Sequence, residues 1–452
     1  MRRFLAAAGI VAACVAAALS GGPANAQVFS PVTFELANGL QVVVVENRRA
    51  PVVVQMVWYK AGAADEVQGK SGIAHFLEHL MFKGTPTVPP GEFSRRVARV
   101  GGRDNAFTGW DYTAYFQNVA RDQLETVMQL EADRMANLVL SEAEVTPERD
   151  VIVEERRQVV DQRPASKLRE QSAAALFLNH PYGRPIIGWE HEMRGLTRQD
   201  ALDWYAKWYA PNNAMLVIAG DVSAAEVKIL AERYYGPIPR KAVPTRVRAQ
   251  EPPPVASRRI ELRDVRVRQP SWSRAWMAPS QAAAFAGLGP DQVDALDLAA
   301  ELLGGGATSR LVRGLVHDKA LATGAAAGYD SSALDPTAFY VFASPRPGVE
   351  VAALEAAIET LIRETLAEGF TDDEVLRAKT RLADSAILAR DSAQAGARAF
   401  GTAFTTGRDV AYVESWPQRL AAVTTAQVNQ ALRAVLSSEA HVTSILLPKP
   451  GS

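Results

Sequence analysis

Two periodicities alternate along this chain. Residues 34–58 carry strand chemistry, and Asn38-Gly39 breaks them as a hairpin turn ahead of Leu40-Gln41-Val42-Val43-Val44-Val45. A strongly apolar helix follows, built on Ile73, Phe76, Leu77, Leu80, Met81 and Phe82. Gly101-Gly102-Arg103-Asp104 then leads into two strands predicted at 105–108 and 112–119. Leu124, Val127, Met128, Met135, Leu138 and Val139 recur at helical spacing and predict one apolar face. The next helix is expected to start at Thr146-Pro147, with Thr as N-cap and Pro in the first helical position.

The chain divides once. Pro237, Pro239, Pro244, Pro252, Pro253 and Pro254 crowd a stretch with scattered basic and few apolar residues, so 237–257 reads as an extended, semi-rigid linker. It separates an expected domain over 27–236 from one over 258–452. The second half repeats the plan of the first. A capped helix, loop and strand running from Leu196 to Met215-Leu216-Val217-Ile218 has a counterpart from Val423 to Val442-Thr443-Ser444-Ile445, offset by 227 positions. So long a period predicts duplicated domains. The expected class is α+β: two homologous α/β domains, each a sheet covered by helices.

Composition changes this picture little. The chain is 48% hydrophobic and 22% charged, ordinary for a globular protein. The start does matter. Arg2 and Arg3 precede an apolar run over 4–19, and Ala24-Asn25-Ala26 offers a cleavage site, so 1–26 reads as a secretory signal and the mature chain begins at Gln27. The single cysteine, Cys14, lies inside that signal, which leaves no disulfide. Val11-Ala12-Ala13-Cys14 weakly resembles a lipid-attachment site, but the apolar run continues past Cys14, and a periplasmic protein is the better reading. Removing two arginines and no acid moves the net charge from −1 to −3, which gives no reason to expect nucleic acid or an anionic membrane as partner. No other apolar run is long enough to span a bilayer.

The chemistry concentrates in His75-Phe76-Leu77-Glu78-His79. Two of the six histidines stand four positions apart on a helix, so both imidazoles face one point, with Glu78 at its border. This is the inverted H-x-x-E-H order of a zinc peptidase helix. Burying three ionisable groups on so apolar a helix is costly unless a cation joins them. A catalytic zinc needs a third protein ligand and an open position. The helix after Thr146 offers Glu154 and Glu155. Glu155 falls on a stripe with Glu148, Val151, Ile152 and Val159, whereas Glu154 falls with Asp150, Arg157, Gln158 and Asp161. An acid on the buried stripe needs a partner, so Glu155 is the expected third ligand. Glu148, two turns earlier, is the expected acid that orients a His ring. A helical counterpart at 296–306 places Asp297, Ala300 and Glu301 opposite His75, Glu78 and His79, and cannot hold the metal.

The inverted motif, the 76 positions from His79 to Glu155, and Glu148-Arg149-Asp150-Val151-Ile152 together resemble the pitrilysin (insulinase-type) zinc peptidases. The likeness is greatest to the short bacterial branch related to mitochondrial processing peptidase. It extends over essentially the whole mature chain, including Asn105-Ala106-Phe107-Thr108, Asp111-Tyr112-Thr113 and His180-Pro181-Tyr182-Gly183. The resemblance implies two chains closing like a clam shell around a chamber. It also implies that Asn105, Ala106 and Phe107 form an edge strand that pairs with an extended peptide substrate. One zinc ion per chain, with Glu78 as general base, follows from the motif.

One departure changes the expectation. Self-sufficient members of the family carry an Arg and, seven positions later, a Tyr after a segment that here reads Gly304-Gly305-Gly306-Ala307-Thr308-Ser309-Arg310-Leu311. Those positions fall on Val316 and Thr323. The expected consequence is a heterodimer in which a homologous chain lacking the zinc motif supplies the Arg/Tyr pair. The alternatives are a homodimer that uses Arg310 or Arg313 instead, and a non-catalytic structural subunit.

Overall fold

The structure, a computed structural model, describes residues 28–285 and 287–449. The signal predicted at 1–26 and Cys14 lie outside them. Val32–Glu35 (β1) and Gln41–Glu46 (β2) form the hairpin expected at Asn38-Gly39: Glu35 pairs with Gln41, and Gly39 turns the chain at φ 87°. With Val52–Tyr59 (β3), Arg103–Thr108 (β4), Thr113–Ala120 (β5) and Ala214–Gly220 (β6) they build a six-stranded sheet in the order β1-β2-β6-β3-β5-β4. The second sheet consists of Arg258–Asp264 (β7), Ser271–Ala278 (β8), Ala322–Tyr329 (β9), Thr337–Pro345 (β10) and Val442–Pro448 (β11), ordered β7-β11-β8-β10-β9. The two orders correspond strand for strand once β1 is set aside. In each sheet the late strand (β6, β11) runs parallel to one neighbour (β2, β7) and antiparallel to the other (β3, β8). The repeat legible in the sequence is a repeat of topology.

The helices that matter here are Ile73–Leu80 (α1), Leu124–Asn137 (α2), Glu142–Arg156 (α3), Pro164–Leu176 (α4), Arg198–Trp208 (α5), Val293–Gly304 (α6), Ala393–Thr405 (α7) and Thr425–Leu436 (α8). Thr197 caps α5 in a reciprocal box with Asp200, and Thr424 caps α8 with Gln427, so the repeated helices start by the same device. The helices α4 and α7 are exchanged. α4, from the first half, lies on β11, β7 and β8 of the second sheet. α7, from the second half, lies on β3, β6 and β2 of the first. Its Ala397, Phe400 and Phe404 pack against Val43, Val45, Val54, Met56, Trp58, Met215 and Val217.

Two element boundaries differ from expectation. Leu138 leaves α2 in an extended conformation, so it and Val139 stand outside the helix, and Val139 is exposed. α3 starts a turn before Thr146-Pro147. Ser141 and Glu144 close a reciprocal box there, and Glu142 and Glu144 favour the positive end of the helix dipole. Pro147 lies inside the helix, at the loss of one backbone bond.

No helix or strand occupies 239–255, as its prolines dictate. Yet Arg248 is buried there. It pairs with Asp65 (2.9 Å) and Asp111 (2.5 Å) beside the first sheet and with Asp335 (2.9 Å) beside the second. Arg246 donates to the backbone carbonyls of Lys60, Asp111 and Thr405. The Pro-rich stretch is thus a clasp as well as a connector.

Candidate metal centre

α1 starts at Gly72, whose left-handed backbone (φ 89°) admits no ordinary side chain, and a Cβ there would lie 2.7 Å from the Ile187 carbonyl oxygen. Gly72 has no side chain with which to cap the helix. The buried carboxylate of Glu66 takes that part, accepting the N–H groups of Gly72 (3.0 Å) and Ala74 (2.9 Å). Ile73, Phe76, Leu77 and Leu80 enter the core of the first half, and His75, Glu78 and His79 are left together on another face.

α3 brings two carboxylates to that face. Glu155 Oε2 lies 3.3 Å from His79 Nε2 and 3.6 Å from His75 Nε2. Glu148 Oε1 accepts from His79 Nδ1 at 2.8 Å, and its other oxygen pairs with Lys83. Glu78 Oε2 accepts from the Thr108 hydroxyl at 2.6 Å, where β4 ends beside α1. Thr108 and Lys83 were not among the residues expected from the sequence. Thr108 shares a strand face with Ala106 on β4, and Lys83 follows His79 at helical spacing, but neither pattern names a partner.

Burial does not separate Glu155 from Glu154 as the stripe argument requires. The buried line of α3 runs through Val145, Glu148, Ile152, Val153 and Arg156, while Val151 is exposed. The helix loosens into a π turn over Arg157–Asp161, so the α period does not carry on to Val159. The side chains of Glu155 and Glu154 are 39% and 50% exposed. Direction separates them: Glu155 turns to the imidazoles, and Glu154 turns to Arg157 (3.4 Å) and Gln158.

The electrostatics are polarised. Burial, and then the charge on His79, lower His75 to about 4. Burial would lower His79 as well, but hydrogen bonds to Glu148 and Glu155 outweigh it and raise that ring to about 9. Burial raises Glu78 to about 7, against the Thr108 hydrogen bond. The donor set fits a divalent cation. Ligand atoms of His75, His79 and Glu155 all lie within 4.8 Å of one another, the one such cluster among the described residues. A tetrahedron with bonds of about 2.0–2.2 Å has edges of about 3.3–3.6 Å, close to the two Glu155 contacts. His75 Nδ1 is buried without a partner, so the cluster side is that ring's polar outlet.

The counterpart helix α6 lines a cavity too, but it carries no such cluster of ligand atoms. Asp297 accepts from Ser331 (3.0 Å), Ala300 is buried and Glu301 pairs with Arg381 (3.1 Å). Gly304 lets β9 close in, for a Cβ there would lie 1.9 Å from Ala327 N. Val316 sits in the π-helical turn Val312–Asp318 and Thr323 on β9. Arg310 is held by Glu374 and the Gly369 carbonyl, whereas Arg313 is exposed. β4 is the edge of its sheet. Asn105 is exposed on it, Ala106 packs towards the α1 side, and Phe107 faces the opposite side against Trp58 and Tyr112.

A family profile described as insulinase (peptidase family M16) matches residues 41–190, and one described as the M16 inactive domain matches 195–382. The zinc protease PqqE of Helicobacter pylori is 34% identical over 367 residues, 79% of this chain and 80% of that protein. The chain belongs to the M16 (insulinase) peptidase family. Another M16 relative, the uncharacterized zinc protease YmxG of Bacillus subtilis, is 28% identical over 78% of this chain and 83% of its own length. A crystal structure of a Helicobacter pylori protease superposes with a TM-score of 0.85 at 29% identity, covering 93% of this chain and all of that one. The periplasmic protease PqqL of Escherichia coli shares the fold (TM-score 0.78, 20% identity), and the likeness covers 48% of its chain. No described helix is long and apolar enough to cross a membrane. The M16 inactive-domain match begins at 195, within the first half, and runs through α6, which lacks the histidines.

Proposed function

We propose that this M16 chain is a zinc metalloendopeptidase for short or unfolded peptides, binding one zinc ion through His75, His79 and Glu155. The observation that carries the reading is the convergence of those three ligand atoms with Glu78 at their border and Glu148 behind His79. Bound zinc supplies Lewis acidity, which makes water acidic and polarises a scissile carbonyl. The protein's own groups do the rest. Glu78, held by Thr108 and raised towards neutrality by burial, takes the proton of the attacking water and passes it to the leaving amine. Glu148 fixes the ring and tautomer of His79. The free edge of β4, at Asn105, Ala106 and Phe107, receives the peptide as an added strand, so backbone bonds give affinity without a demand on sequence.

The reading extends to assembly and place. Val316 and Thr323 offer no guanidinium or phenol, and Arg310 is already engaged by Glu374, which favours a homologous partner chain bringing the Arg/Tyr pair. PqqL carries about twice this length in one chain, as a paired arrangement would require. A cleaved signal over 1–26 directs the protein to the periplasm, the compartment named for PqqL. The same reading divides the chain into a zinc-binding domain over 27–236 and a homologous domain without a metal site over 258–452, joined by the 237–257 connector.

Elemental analysis of the purified chain tests the metal. One zinc per chain is expected, lost in Glu155→Gln and kept in Glu154→Gln; equal loss in both overturns the ligand assignment. Peptide hydrolysis tests the partner. The zinc-loaded chain alone should be slow, by about 10²–10³ for one missing oxyanion donor, and recover at a one-to-one ratio with an Arg/Tyr-bearing homologue. Full activity alone, with nothing gained on mixing, overturns the heterodimer.

A further inference from the structure

The edge strand β4 has two faces, and only one looks at the metal centre. Thr108 touches Glu78 and Ala106 packs towards α1, whereas Phe107 lies on the other face. That face is roofed by α7, a helix from the second half of the chain. Gly401 sets how closely α7 approaches: a Cβ there would lie 2.0 Å from Trp58 Cε2, so only glycine lets the helix rest on the indole. One turn earlier on the same helix stands Arg398. Its guanidinium lies 4.3 Å from the centre of the Phe107 ring and 5.9 Å from that of Phe116. The side chain is exposed, and no carboxylate lies within ion-pair distance of it among the described residues. The aromatic contact fixes the direction of a guanidinium that makes no ion pair among the described residues.

We infer that Arg398 is a specificity residue which favours an acidic side chain at the substrate position lying across from Phe107. The inference rests on the strand-addition reading above. A peptide added beside β4 alternates its side chains between the two faces. Residues across from Ala106 and Thr108 point to the α1 side, and the residue across from Phe107 points to the α7 side. Directly opposed side chains begin about 4.5–5.5 Å apart at Cβ, within the reach of a Glu carboxylate to a guanidinium stacked on that ring. Peptide backbone bonds are indifferent to sequence, so Arg398 beside the position across from Phe107, with exposed Arg103 four residues back on the same face of β4, gives that face its charge preference. Arg also forms paired hydrogen bonds with a carboxylate, which Lys and Gln cannot return.

The test uses the zinc-loaded full chain carrying Glu78→Gln, so that bound peptides stay intact, and fluorescence anisotropy as the readout. Two labelled decapeptides are compared, identical except for Glu or Lys at every second position. Alternation lets either peptide choose the register that turns its charged edge to α7. The Glu peptide should bind more tightly, by about five-fold for an exposed pair. Arg398→Ala should lower the ratio towards the share left by Arg103 on the same strand face, and Arg398→Glu should lower it further. Because Arg398 is exposed on a helix, alanine there preserves the fold. Equal ratios in the parent and in Arg398→Ala overturn the inference while leaving strand addition intact. If neither peptide binds, strand addition itself fails and this inference with it.

Discussion

Glu148 offers a sharp test of how the centre is organised, because it is expected to touch no metal. One of its oxygens accepts from His79 Nδ1 at 2.8 Å, the other pairs with Lys83, and its side chain is 11% exposed. Glu148→Gln keeps an oxygen for the imidazole but removes the charge. It also turns an amide N–H₂ towards Lys83, donor against donor. His79 then keeps its orientation loosely and becomes a poorer base towards a cation on Nε2. Loss of such a supporting group weakens metal binding about 10–100-fold, or about 1.4–2.7 kcal/mol. Glu148→Ala, which removes the acceptor as well, should fall at the far end of that range. Competition against a chromophoric chelator at neutral pH measures both, with Glu154→Gln as the control expected to match the parent. A Glu148→Gln affinity within two-fold of the parent would refute the orienting role and leave Glu148 only as the partner of Lys83.

Glu78→Gln should keep zinc while peptide cleavage, assayed with the partner present, falls by about 10²–10⁴; retained turnover removes Glu78 from the chemistry and lost zinc makes it a ligand. Arg248→Met should lower the unfolding free energy by about 3–5 kcal/mol, because it strands Asp65, Asp111 and Asp335 without their buried partner. Denaturant titration checks this, and a change under 1 kcal/mol refutes it. Burial raises Asp297 from its usual value to about 8, so the folded state prefers the neutral acid, and its contribution to stability is full at low pH and fades as pH climbs to about 8. Asp297→Asn should therefore gain on the parent in Tm between about pH 4 and 8 and level off above; a pH-independent difference contradicts it.

What could be read from the sequence was what is local. The Asn38-Gly39 hairpin and the i, i+4 histidines are written within short windows, and the 227-position repeat is a likeness between two such windows from which the two corresponding sheets follow. The start of α3 was legible and misread: Thr146-Pro147 and Ser141-x-x-Glu144 are competing start signals, and the earlier one prevails because it satisfies two backbone donors. Thr108 carries no mark that distinguishes it from any strand hydroxyl, since its partner is 30 positions away. The buried Arg248 is similarly hidden, for a charge in a Pro-rich run looks solvated until three distant aspartates meet it. An apolar stripe such as that of α7 says that a helix is buried, and is silent on which sheet buries it.

The reciprocal placement of α4 and α7 makes the two halves inseparable in a way that the connector alone would not. Both helices have 13 residues and stand 229 positions apart, each completing the sheet of the other half. A first half expressed without residues 393–405 would expose Val43, Val45, Met56, Trp58 and Val217, an apolar face that water does not tolerate. Two copies of such a half could cover themselves only by trading helices, which is domain swapping. The chain is that swapped pair made covalent. Cutting it within 239–255 should therefore leave the fragments associated, held by an embrace rather than by the peptide bond between them.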